Sequence, residues 1–342
     1  MGATEPQRSV LVHESGRKTV NRSSLLVSLG AVFATRARAL AQLSWSMASD
    51  YPQDSVSGAG ILAFAQELVR TSNGEIAITP EFDGSGVKAS QALASIGGGS
   101  LPAGDVFGGV AGATDPIFLL SSLPFLTTSS ADARRLYEIA RPTYDAAFTR
   151  LGLKLLYASS WPPSGIWAKI PVRAPEDIAR LHIRTYDATS TTVLNALGAH
   201  AQALTFGEAM PLLKNGTIDA VLSSGDGGAG RRLWQYLPVY TKLAYAFPLS
   251  FAVTNKRLYD GLEANLRDAV DRAAARTQTL QWRAIDARLL RNEIRMRAND
   301  VVIVSDISPA LRKRALEAGS EAIAAWKEQV GAPGRAILDR FS

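Results

Sequence analysis

The chain has no cysteine among its 342 residues and only three histidines. The first absence excludes a disulfide framework, a thiolate zinc site and a thiol nucleophile together. The second leaves too few imidazoles for a multi-histidine metal centre, so neither a metal nor a cofactor is expected. No apolar run approaches the roughly twenty residues that a membrane-spanning helix needs. There is no G-x-S-x-G nucleophile elbow, no Walker phosphate loop and no internal repeat. What remains is a chain that is 46% hydrophobic, the ordinary composition of a packed globular protein. Its length fits two domains or one large one.

The charge is uneven. Against 31 acidic residues stand 37 basic ones, a formal net of +6, which by itself invites a nucleic-acid or membrane-surface partner. Residues 1–41 hold Arg8, Arg17, Lys18, Arg22, Arg36 and Arg38 against only Glu5 and Glu14. Most of the excess therefore sits in one leader. Within it, basic residues precede an apolar stretch at 25–34, and the small-x-small site Ala39-Leu40-Ala41 follows. That pattern predicts an export signal cleaved near Ala41, and hence a periplasmic protein. The remainder is close to neutral, and its basic residues are interleaved with acids, so no nucleic-acid partner is expected.

From residue 42 onward, short β-rich runs alternate with helical ones. Strands are predicted at 43–47, 75–80, 105–110, 153–159, 183–186, 202–204 and 218–223. Helices are predicted at 61–69, 87–96, 131–150, 190–197 and 206–214, with a turn at Asn73-Gly74 and an apolar loop at 116–126. The alternation predicts an α/β fold with largely parallel sheets. Between 262 and 298, apolar residues recur at helical spacing without proline. This is either one helix on the order of 50 Å long, lying along both domains, or two helices broken near Arg283.

One motif invites a wrong turn. Gly225-Asp226-Gly227-Gly228-Ala229-Gly230 satisfies G-x-G-x-x-G behind a predicted strand. No acid follows about twenty residues later to hold a ribose, and the motif opens no mononucleotide fold. A flexible turn beside a ligand cleft, with no bound nucleotide, is the better expectation. His182 and His200 lie on or beside strands without a paired nucleophile, as surface histidines do.

Four elements in order carry a more specific message. They are the strand His182-Ile183-Arg184, the helix end Leu197-Gly198-Ala199, the helix start Thr205-Phe206-Gly207-Glu208, and the closing run Leu212-Leu213-Lys214-Asn215-Gly216-Thr217-Ile218-Asp219-Ala220. With Asn73-Gly74 and Leu123-Pro124-Phe125-Leu126, this series resembles the solute receptors of tripartite ATP-independent periplasmic (TRAP) transporters, the DctP family. The resemblance runs over nearly all of the chain beyond Gln42.

The resemblance implies a two-lobed periplasmic binding protein of type II-like architecture, with a long helix running along both lobes. It further implies lobe I at 42–165, completed by part of 250–285, and lobe II at 166–250, completed by C-terminal segments. The spanning helix would occupy 262–298, and a strand and helices 299–342. Such a receptor closes on a small organic acid and hands it to the transporter's membrane subunits, without chemistry on the ligand. The rival class is a secreted α/β enzyme, a hydrolase or a nucleotide-dependent one.

The family's hallmark arginine falls on Arg184. A planar, permanently charged guanidinium grips a carboxylate with two parallel hydrogen bonds; the competing role is an ion pair with Asp177 or Asp187. Other candidate ligand contacts are Trp161 and Trp167, either of which could be core, together with Phe206 and Tyr51. Ser223, Ser224 and Asp226 are candidates for binding a hydroxyl or keto oxygen. Where the sialic-acid branch carries a second arginine, this chain has Ser164, which argues against sialic acid.

Overall fold

The computed structural model describes residues 42–342, so the expected leader lies outside the described residues. Eleven strands form two sheets. β1 (Leu43–Ser49), β2 (Ile76–Glu81), β3 (Ala103–Phe107), β4 (Leu153–Ser160) and β10 (Leu249–Asn255) form one, in the order β2-β1-β3-β10-β4. β5 (Ser164–Ala168), β6 (His182–Thr185), β7 (His200–Ala203), β8 (Ala220–Ser224), β9 (Val239–Thr241) and β11 (Val302–Val304) form the other, in the order β11-β9-β5-β8-β6-β7.

The expectation of largely parallel sheets needs correction. β10 runs antiparallel to both β3 and β4, and β5 antiparallel to both β8 and β9. The chain path is the reason. It crosses between the sheets at Trp161-Pro162-Pro163 and returns over 242–248, so each crossing delivers a strand running back against its hosts. The two-lobed α/β architecture stands.

Local chemistry explains where other elements shift. The first helix, Val56–Thr71, begins before the expected 61 because the Ser55 hydroxyl accepts from the Gly58 N–H at 3.1 Å. It is followed by a turn in which Asn73 and Gly74 both take positive φ. The strand expected at 105–110 stops at Phe107, and residues Gly108–Ala111 turn helical. The expected helix at 87–96 is a 3₁₀ turn, Ala89–Gln91, continuing into the helix Ala92–Gly98. The apolar loop at 116–126 is mostly a 3₁₀ helix, Pro116–Ser122, capped by Asp115. β5, β9 and β10 are short or wholly buried, without the alternation that marks a half-exposed strand.

The long helix is unbroken from Ala264 to Arg297. Its length lets one element serve three separate cores. Leu266, Val270 and Ala273 pack with Ile61 and Phe64; Trp282 and Ile285 pack with Tyr137 and Tyr144; Met296 belongs to the core around Trp167 and Leu222. Arg295 and Arg297 occupy its last turn, where cations suit the negative end of the helix dipole. No described helix is long and apolar enough to cross a membrane.

Candidate functional site

β6 is four residues long, yet both its edges are bonded, to β8 on one side and β7 on the other. This fixes the backbone of Arg184 between the two strands. The arginine is 3% exposed. Its Nε donates to the Leu204 carbonyl at 2.7 Å and Nη1 donates to the Leu222 carbonyl at 3.3 Å. Nη2 has no hydrogen bond to a described residue, and the guanidinium forms no ion pair with a described carboxylate.

Neither rival acid takes it. Asp177 accepts from the N–H groups of Arg173 and Ala174 at 2.8 and 2.9 Å. Asp187 caps the helix Ala188–Ala196, accepting from the Ser190 N–H and hydroxyl, both at 2.7 Å. Burial brings the Arg184 pKa down to about 10, so it stays a cation at neutral pH. An orphaned buried cation is costly, and a bound anion relieves that cost.

The helix Phe206–Lys214 supplies the next piece. Thr205 and Glu208 form a capping box: Thr205 Oγ1 accepts from the Glu208 N–H at 3.3 Å and Glu208 Oε2 accepts from the Thr205 N–H at 2.8 Å. The box holds Phe206 at the helix mouth, where its ring centroid lies 4.3 Å from the Arg184 guanidinium carbon. Arg231 covers the same ring at 5.6 Å.

An aromatic cluster borders this pair. Tyr51 lies 4.6 Å from Trp161 and 6.3 Å from Phe107, ring centre to ring centre, and Phe107 lies 5.5 Å from Tyr186. Trp161 is fixed by its Nε1 donating to Ser250 Oγ at 3.0 Å. Two adjoining cavities lie between the lobes. Asp50, Asp105 and Val106 help line the first; Trp161, Ser164, Ser223 and Ser224 help line the second; Tyr51, Phe107, Arg184 and Phe206 line both.

Six of the eight residues proposed from sequence thus meet: Arg184, Tyr51, Trp161, Phe206, Ser223 and Ser224. The Ser224 hydroxyl is partly committed, because it accepts from the Gly227 N–H at 3.0 Å. Two candidates lie elsewhere. Trp167 is fully buried against Tyr240, and its Nε1 donates to the Ser224 carbonyl at 3.3 Å. Asp226 is also buried; Arg288 Nε lies 2.7 Å from its Oδ2, and it accepts from Asn292 Nδ2 and the Val56 N–H, each at 3.1 Å.

The glycine-rich run is correspondingly not a flexible turn. It is the buried helix Gly225–Gly230, started by Ser224 as its cap. Glycine is needed for close approach: a Cβ on Gly228 would stand 2.2 Å from the Trp167 indole. This helix binds the loop that carries Tyr51. Besides the Asp226 contact to Val56, Arg231 Nη2 donates to the Asp50 carbonyl and Arg231 Nη1 pairs with Asp83 at 3.3 Å. From the long helix, Arg288 donates to the Asp54 carbonyl and Arg295 pairs with the Asp54 carboxylate, each at 2.8 Å.

Asp105, Phe107 and Tyr186 also border the cavities and lie outside the sequence motifs. An acid inside the buried strand Ala103-Gly104-Asp105-Val106-Phe107 was a usable signal, since buried carboxylates are rare unless they are paired or functional. His182 and His200 are neighbours across β6 and β7, stacked at 4.8 Å, and line neither of these cavities. No described group of histidines and acids is arranged to hold a metal ion.

An extracytoplasmic solute receptor of Bordetella pertussis that binds pyroglutamic acid is 27% identical, over 87% of this chain and 99% of its own, with a TM-score of 0.84. A marine metagenome TRAP solute-binding protein, in complex with co-purified pyroglutamate, is also 27% identical, over 88% and 98%, with a TM-score of 0.83. A TRAP periplasmic protein from Shewanella oneidensis, with bound succinate, shares the fold at 16% identity and a TM-score of 0.81, over 88% of this chain and 100% of its own. Residues 47–329 match the model of the bacterial extracellular solute-binding proteins, family 7 (DctP), and the chain belongs to that family.

Proposed function

We propose that this protein is the periplasmic receptor of a TRAP transporter, that it captures a small monocarboxylate with a ring-shaped or flat body, and that it passes the acid to the membrane subunits. The observation that carries this is Arg184, a buried guanidinium without an acidic partner among the described residues, at a cavity lined by Tyr51, Phe107 and Phe206. The carboxylate occupies the free side of the guanidinium. Rings of both lobes cover the body of the ligand, and their burial favours the closed form over the open one. Ser223 and Ser224 stand where a second oxygen of the ligand would be read. Pyroglutamate, the acid bound by two relatives, is the first to test.

No catalytic role is proposed. The two described histidines lie apart from the cavity, and the glycine-rich helix is filled by Trp167 rather than by a nucleotide. The test is a thermal-shift and calorimetric screen of organic acids on the chain beginning at Gln42. A ligand that binds only the folded state raises the melting temperature. Pyroglutamate or a similar ring acid is expected to raise it in the wild type and not in Arg184→Ala. Binding that survives intact in Arg184→Ala would refute the assignment, as would the absence of a shift with any carboxylate.

A further inference from the structure

Asp105 is a buried acid of the cavity that the capture of a carboxylate leaves unexplained. It lies on β3, on the same face of the strand as Phe107, and is 5% exposed. It lines the cavity shared by Arg184, Tyr51 and Phe206. Neither of its carboxylate oxygens takes a hydrogen bond from a described residue. The Ser57 hydroxyl donates to Ser250 Oγ at 3.1 Å and Ser250 Oγ also accepts from Trp161 Nε1, so these hydroxyls leave Asp105 at most the single Ser250 proton. The other acid of the cavity, Asp50, is partly buried and has the Arg231 and Arg184 guanidinium groups near it; Asp105 has no such cation.

A buried, unpartnered carboxylate needs a donor or a proton. The cavity is thus lined by a cation, an acceptor short of donors and aromatic faces. A ligand that satisfies all three has a carboxylate for Arg184, a flat body for the rings and a donor for Asp105. A second carboxylate at that end would be repelled.

We propose that Asp105 determines the ligand specificity of this cleft by accepting a ring N–H, so that the receptor selects cyclic monocarboxylates of the lactam type over isosteres that lack the N–H. This rests on the assignment of Arg184 as the carboxylate anchor and goes beyond it, since Arg184 alone holds either kind of acid. Burial also pushes the empty Asp105 up to about 6, with the Ser57 and Ser250 hydroxyls opposing the rise, as suits a carboxylate still short of a strong donor.

The test compares pyroglutamate with its lactone isostere, in which ring oxygen replaces the N–H at equal charge and nearly equal shape. Calorimetry on the wild type is expected to show the lactam acid binding about 30-fold more tightly, the scale of a hydrogen bond to a charged group. In Asp105→Asn, whose side chain offers a donor as well as an acceptor, the preference is expected to shrink to within about threefold, with lactone affinity kept or improved. Equal affinities in the wild type would overturn the proposal without needing any variant. So would an undiminished preference in a folded Asp105→Asn, or a wild type that binds other acids through Arg184 but neither of this pair. If no acid binds at all, the carboxylate anchor itself is wrong.

Discussion

The Arg184 guanidinium carbon lies over the Phe206 ring, 4.3 Å from its centroid, and no described acid shares that cation. Two elements of one sequence motif, its strand and its capped helix start, therefore make a single device. The strand presents the charge, and the capped helix start supplies the surface that orients it. Phe206→Leu keeps the apolar volume but removes the π face. A cation–π contact contributes about 0.5–2 kcal/mol, so affinity for the bound acid should fall about 3- to 30-fold, with circular dichroism unchanged. Full affinity in Phe206→Leu would mean that the ring only fills space.

Arg184→Lys preserves the charge but loses the two-pronged grip and the hydrogen bonds to the Leu204 and Leu222 carbonyls. Calorimetry should show an affinity loss of at least about tenfold, corresponding to one good charge-assisted hydrogen bond. If lysine binds the acid as well as arginine does, simple electrostatic attraction accounts for binding and geometry does not.

The pH dependence has a definite sign. Asp105 in the fold titrates near 6, above its ordinary 3.8. Between these values the folded state binds more protons than the unfolded one, so this group's contribution becomes less favourable as pH rises through 6. The shift corresponds to about 3 kcal/mol. Urea titrations of the empty protein should show Asp105→Asn gaining stability relative to wild type at pH 7 and losing that advantage near pH 4. Asp50, Asp187 and Asp226 are shifted in the same direction, but they are common to both proteins and cancel. A difference independent of pH would show that Asp105 is not the titrating group.

Arg288 and Asp226 should behave as a coupled pair. Arg288→Ala leaves a buried carboxylate without its cation, which typically costs about 3–5 kcal/mol. Asp226→Asn combined with Arg288→Ala should cost clearly less than the sum of the single changes, as read by a double-mutant cycle in denaturant. Additive costs would exclude the pairing.

Gly228→Ala probes the same helix from its buried side. The new methyl would meet the Trp167 indole at 2.2 Å, and forced overpacking of this kind costs about 1–3 kcal/mol. Gly98, which has open space around its missing side chain, serves as the control and should tolerate alanine.

What the sequence made legible follows from where the chemistry is local. Arg184 and Phe206 could be named as candidates because strand, helix end and helix start stand in the order that the family resemblance rests on. Trp161 and Trp167 could not be separated, since both flank the same interlobe crossing. Contacts with Ser224, Gly228 and Tyr240 assign that indole to the core, and these residues lie far along the chain. Asp226 misled for a similar reason. An acid among glycines resembles a ligand loop until Arg288 and Asn292, sixty residues on, are brought to it by an uninterrupted helix. The antiparallel strands β5 and β10 were invisible because fully buried strands lack the alternation that a half-exposed strand shows.

The burial of Arg184 also bears on time. At 3% exposure, the guanidinium meets solvent only when the lobes part. An acid held against it leaves no faster than the cleft opens, however weak its individual contacts are. The residence time of the cargo then belongs to the motion of the protein more than to the chemistry of the ligand. On the function proposed above, a membrane partner that pries the lobes apart would discharge the receptor on arrival, while a receptor that meets no partner would keep its load.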